Sequence, residues 1–148
     1  ISHCMDKAQQ SYEQEKQPHM LELASSYVER LTGERYTLDI LGINKGVALI
    51  NNNGERLELK FWSSGLADQV YLSLRLALAK VFSYQVESLP IILDDILVRF
   101  DENRQRSALE LLAELGKNQQ IWLFTCQRSV YDMAQSIMGI DCHRLSRS

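Results

Sequence analysis

Met20, Leu23, Ala24, Tyr27, Val28 and Leu31 return at intervals of three and four residues, the stripe of an amphipathic helix, and Gly33 follows where such a helix stops. Pro18 suits the first turn, where a missing N–H costs nothing. From His3 to Gln17 the apolar residues Met5, Ala8 and Tyr12 are too sparse among Gln, Glu and Lys to cover a core. That stretch, residues 1–17, reads as the end of a coiled-coil arm that needs a partner strand or solvent around it. Between Arg35 and Phe61 the pattern shortens to runs at 36–41, 46–50 and 56–60, separated by Gly42-Ile43-Asn44-Lys45 and Asn51-Asn52-Asn53-Gly54, which predicts an antiparallel meander. From Leu66 to Phe82 apolar residues fall on nearly every face, as in a helix buried on several sides.

Leu89 to Leu93 and Ile121 to Phe124 are short continuous apolar runs, the pattern of parallel strands covered on both faces. A helix from Glu102 to Leu115 joins them. Asp101 is its expected N-cap, with Phe100 before it, Ala108, Leu109, Leu112 and Leu115 as the inward stripe, and Gly116 at its end. A further helix at about 129–138 and a short strand at His143 to Leu145 complete an α/β layer.

With 148 residues, 45% of them hydrophobic and 24% charged, the chain can bury the core of one ordinary domain. A net charge of -3 excludes a wholly basic, nucleic-acid-type surface. Cys4, Cys126 and Cys142 are odd in number and lack C-x-x-C spacing, which points to a reducing cytoplasm rather than a disulfide framework. No apolar run approaches the roughly 18–20 residues that span a bilayer, so no membrane is expected. Ile1 rather than Met begins the chain, which points to a piece of a longer protein.

Asp94-Asp95 ends an apolar strand, and that delivers carboxylates to the carboxyl edge of a parallel sheet, where open α/β folds bind ligands. One acid can hold magnesium through its water shell while its neighbour orients or deprotonates an attacking water. Alone, the pair is equally an acidic turn. Trp62-Ser63-Ser64-Gly65 precedes a helix whose free N–H groups can face an anion, although a serine cap would look the same. The phosphate loop G-x-x-x-x-G-K-[ST] occurs nowhere in the chain. Cys126, Cys142 and His143 lack a fourth ligand at sensible spacing, so the thiols read as core residues.

The order Ser63-Ser64-Gly65, Asp94-Asp95, Phe100-Asp101 and Thr125-Cys126-Gln127 resembles the C-terminal lobe of an SMC-like, ABC-type ATPase head, closest to the bacterial YhaN-like members of the double-strand-break-repair group. The resemblance covers about residue 18 to the end. It implies the C-terminal half of a P-loop NTPase whose N-terminal lobe, with the phosphate loop, is absent here. It also implies ATP and Mg2+ as cofactors, with Asp94 as the metal-associated acid and Asp95 as the catalytic base in place of the usual Glu. Ser63, Ser64 and Gly65 become the signature motif that touches ATP on an opposite head, Asp101 the D-loop aspartate, and Gln127 the switch residue in place of histidine. Arg75 matches an arginine that couples nucleotide state to head movement, the alternative being a solvent-facing arginine without that role. Implied partners are the N-terminal lobe, a second head in a homodimer, DNA through the full-length protein, and a nuclease subunit; the implied setting is the cytoplasm or nucleoid.

Glutamine cannot take part in proton relay, and Asp is one methylene shorter than Glu. Slow hydrolysis follows. The alternatives are a hydrolysis-impaired, nucleotide-gated scaffold and an α/β interaction module unrelated to nucleotides. By itself the chain is expected not to hydrolyse ATP.

Overall fold

The computed structural model describes residues 17–40, 46–84 and 88–145. The expected arm at 1–17 therefore lies almost wholly outside the described residues. The chain divides into two compact units, with the boundary between Glu87 and Ser88.

In the first unit, helix α1 (Gln17–Thr32) buries Ala24, Tyr27, Val28 and Leu31 against helix α2 (Ser64–Ser83). Gly33, at φ +74°, ends α1 by donating its N–H to the Glu29 carbonyl at 2.9 Å, a left-handed closure that glycine adopts without steric cost. Strands β1 (Thr37–Ile40), β2 (Val47–Ile50) and β3 (Arg56–Glu58) form the expected antiparallel meander, with Thr37 opposite Ile50 and Ala48 opposite Glu58. The Ser25 hydroxyl accepts the Leu38 N–H at 3.0 Å and so ties β1 to α1. The third run is shorter than its apolar pattern, because Leu59–Phe61 turns into a 3₁₀ helix that leads to α2.

Helix α2 is less enclosed than its composition predicts. Val70, Leu72, Leu76, Ala77 and Val81 are buried, but Tyr71, Arg75, Leu78 and Phe82 form an exposed stripe at i, i+4, i+7 and i+11.

In the second unit, strands β4 (Ile91–Asp94) and β5 (Ile121–Phe124) pair in parallel, with Asp94 opposite Phe124, and helix α3 (Glu102–Leu115) connects them. Asp101 caps α3 through a 3.0 Å bond from the Arg104 N–H, an arrangement worth about 1 kcal/mol. Ala108, Leu109, Leu112 and Leu115 are buried as expected. Gly116 caps the other end in a right-handed conformation, and a Cβ there would meet the Leu112 carbonyl oxygen at 3.1 Å. Buried Gln119 donates to the Leu89 carbonyl at 2.9 Å and fixes the approach to both strands.

Three expectations change here. The strands are not covered on both faces: Leu93 is buried, whereas Ile92 is 68%, Trp122 48% and Phe124 44% exposed, so alternate residues of both strands leave one face open. No strand forms at His143 to Leu145, where the single aliphatic side chain, Leu145, is exposed. The last helix, α4 (Arg128–Gln135), is shorter than predicted and buries Val130, Met133 and Ala134.

Candidate functional site

Parallel pairing brings two loop starts side by side. Asp94 lies opposite Phe124, so the chain leaves both strands at the same level and Asp95 meets Thr125 and Cys126. The Asp95 N–H extends the ladder to the Phe124 carbonyl at 2.8 Å. Asp95 is also the sole non-glycine residue with positive φ among the described residues, at +48°. Asp and Asn tolerate this left-handed conformation better than Glu does. The backbone thus gives a local reason for Asp here.

The Asp95 carboxylate accepts the Thr125 hydroxyl at 3.2 Å, the Cys126 N–H at 3.4 Å and the Cys126 thiol at 3.1 Å. The thiol's bond is the largest influence on its acidity and, against partial desolvation, holds the carboxyl below its ordinary value, helped by the Cys126 N–H and the Thr125 hydroxyl. The same bond, followed by the carboxylate's negative charge, raises the Cys126 thiol. Cys126 is exposed, not the core thiol the sequence suggested. Asp95→Asn removes the charge that suppresses thiolate, so Cys126 should be alkylated faster by iodoacetamide at pH 8, up to about tenfold for each unit by which its pKa falls. An unchanged or slower rate, read peptide by peptide with mass spectrometry, would contradict the assigned contact.

Gln127 begins α4 without capping it through its side chain. Its N–H donates to the Thr125 hydroxyl at 3.1 Å, and its side-chain carbonyl accepts Gln105 Nε2 at 3.1 Å. Gln105 Nε2 also donates to the Leu97 carbonyl at 3.2 Å. Asp94, Asp95, Asp101 and Gln127 therefore belong to one unit, and a continuous series of hydrogen bonds runs from Gln105 through Gln127 and Thr125 to Asp95. Sequence reasoning missed Gln105 and the contact of Cys126 with Asp95. The second was available from strand register, which puts the residues after Asp94 and Phe124 next to each other.

Ser63, Ser64 and Gly65 belong to the first unit. The exposed Ser63 hydroxyl accepts the Leu66 N–H at 3.1 Å and caps α2, while the Trp62 indole N–H donates to the Leu57 carbonyl at 2.9 Å. Trp62 thereby anchors the approach to the helix. The N–H groups at the start of α2 have no carbonyl one turn earlier within the helix, the arrangement that suits an anion. One turn on, Gln69 is fully buried with neither side-chain polar atom hydrogen-bonded among the described residues.

A single exposed carboxylate is compatible with magnesium held partly by water and phosphate. Mg2+ takes one or two carboxylates plus phosphate and water rather than an all-protein cage. Exposed Asp94 could be one such carboxylate, whereas the Asp95 carboxylate is engaged by Thr125 and Cys126, and no group of three or more His, Cys, Asp or Glu that could hold a metal occurs among the described residues. No described helix is long and apolar enough to cross a membrane.

No protein-family model matches the chain. It is 33% identical over 122 residues to the uncharacterized protein YhaN of Bacillus subtilis, a match spanning 80% of this chain but only 12% of YhaN. The Smc head domain with a coiled coil and joint from Pyrococcus yayanosii superposes with a TM-score of 0.67 at 13% identity, covering 89% of this chain and 26% of that one. A structure from work on ATP-driven dimerization and DNA-stimulated activation of SMC ATPases gives 0.64 at 16% identity, covering 85% and 78%. The chain is thus similar in sequence to a segment of YhaN and has the α/β fold of SMC head fragments, as the ordered motifs implied.

Proposed function

We propose that this chain is the signature and Walker B half of an SMC-like head that binds and hydrolyses ATP in the complete protein. The observation that carries the reading is the placement of Asp94 and Asp95 at the carboxyl end of β4, beside the Thr125–Gln127 loop that leaves parallel β5. Asp94 would hold Mg2+, which supplies charge neutralisation at the phosphates. Asp95 would receive the proton of the attacking water, although the hydrogen bonds that hold its carboxyl below the ordinary value make it a weaker base. Gln127 would donate its amide to the terminal phosphate. Ser63, Ser64 and Gly65 would serve ATP on a second head, with Asp101 reaching across the same dimer. The lobe would comprise residues 18–148 and the arm residues 1–17, and head closure would move attached coiled coils on DNA in repair or chromosome maintenance, with a nuclease subunit as partner. The setting would be the cytoplasm.

A second reading, a scaffold that dimerises on ATP without turning it over, is favoured by the Asp95 carboxylate being engaged by Thr125 and Cys126 and by Gln127 lacking a titratable proton. In the full-length protein, Ser63→Arg should abolish Mg-ATP-dependent dimerisation in sedimentation analysis while each head still binds nucleotide. Dimerisation at the wild-type ATP concentration in this variant would remove the signature role. Dimerisation without phosphate release in the wild type would select the scaffold.

A further inference from the structure

We infer that Gln105 is a positioning residue for Gln127, turning its side-chain amide so that the NH2 faces away from α3 as a hydrogen-bond donor. This rests on the ATPase reading only for its catalytic consequence. The geometry stands on hydrogen-bond logic. Oxygen and nitrogen of a glutamine amide look alike in outline, so the partners decide which is which. A backbone carbonyl can only accept, and Gln105 lies 3.2 Å from the Leu97 carbonyl oxygen; its NH2 must face Leu97. That NH2 has two protons, and its second neighbour is the Gln127 amide at 3.1 Å. Gln127 must therefore present its oxygen. Its own NH2 is turned to the opposite side of the amide.

Burial gives this choice force. Gln105 is only 7% exposed, and leaving its amide protons unbonded in such a place is costly, so the bonded orientation dominates. Gln105 sits in the first turns of α3, just after the cap Asp101, and Leu97 lies in the turn between β4 and that helix. One side chain thus joins the turn after the acidic pair, the start of α3 and the residue that opens α4. A shift of the Leu97 turn or of α3 would release or rotate the Gln127 amide. Position 127 becomes sensitive, through Gln105, to the segment that carries Asp101.

Two measurements test this. In the 15N-labelled full chain, the Gln105 side-chain amide protons should exchange with solvent at least about tenfold more slowly than those of Gln127. Gln127→Glu, which keeps an acceptor facing Gln105, should preserve that slow exchange. Equal protection of the two amides, or loss of Gln105 protection in Gln127→Glu, would overturn the orientation. In the full-length ATPase, Gln105→Leu should lower kcat by about 10- to 100-fold with little change in KM, yet have almost no further effect in a Gln127→Ala background. Additive losses would show that Gln105 acts by general destabilisation, and would overturn the positioning role. A wild-type protein with no turnover would refute the ATPase reading and with it the kinetic role, while the exchange measurement still decides the amide geometry.

Discussion

Asp95→Asn in the full-length protein should lower kcat for ATP hydrolysis by about 10²–10⁴-fold while Mg-ATP binding persists. The substitution is isosteric and suits the site's backbone, because Asn accepts φ near +48° as readily as Asp. Its amide oxygen can still accept the Thr125 hydroxyl. What disappears is the negative charge that would draw a proton from water. Asp95→Glu is the informative contrast: it keeps the negative charge, but places a longer side chain on a left-handed backbone at a cost of about 1 kcal/mol. Steady-state kinetics with a parallel nucleotide-binding measurement would decide the matter. An Asn variant retaining more than a tenth of wild-type kcat would exclude Asp95 as the base.

Leu109→Ala should be the most destabilising of the single changes considered, at about 2–5 kcal/mol in denaturant unfolding of the chain. Leu109 is 1% exposed on the inward stripe of α3, so truncation loses apolar burial and leaves a cavity. Against a typical domain stability of about 5–15 kcal/mol this is a large fraction. The same helix carries Gln105 and is capped by Asp101, so its loosening would reach the site as well. A change below about 1 kcal/mol would mean that α3 is not held by the stripe assigned to it.

Helix α3 was legible to its end residues because three independent signals agree: an Asp cap, an apolar stripe and a terminal glycine. The meander was legible for the same reason, from Asn- and Gly-rich turns between short apolar runs. The uncovered face of β4 and β5 was not. A continuous apolar run records what a strand is built to lie against, and carries no information about which segment supplies that cover. His143 to Leu145 failed as a strand because a pairing partner, and not local composition, decides whether so short a segment extends a sheet. At the site, the sequence order placed Asp94, Asp95 and Gln127 near one another, but it could not give the sign of φ at Asp95 or the second bond of Gln105. Those depend on where two distant carbonyls come to rest, and neither leaves a periodic trace.

Trp122 gives the open face of the parallel pair a practical property. Its indole stands half-exposed opposite Ile92 and two residues before Phe124 on the same strand, whereas Trp62, the other tryptophan, is half-buried with its N–H bonded to a carbonyl. Water around an indole shifts its emission to longer wavelength, so any surface that settles on β4 and β5 would announce itself as a blue shift from Trp122 against the steady background of Trp62. The molecule carries its own optical gauge of whether that face is bare or covered.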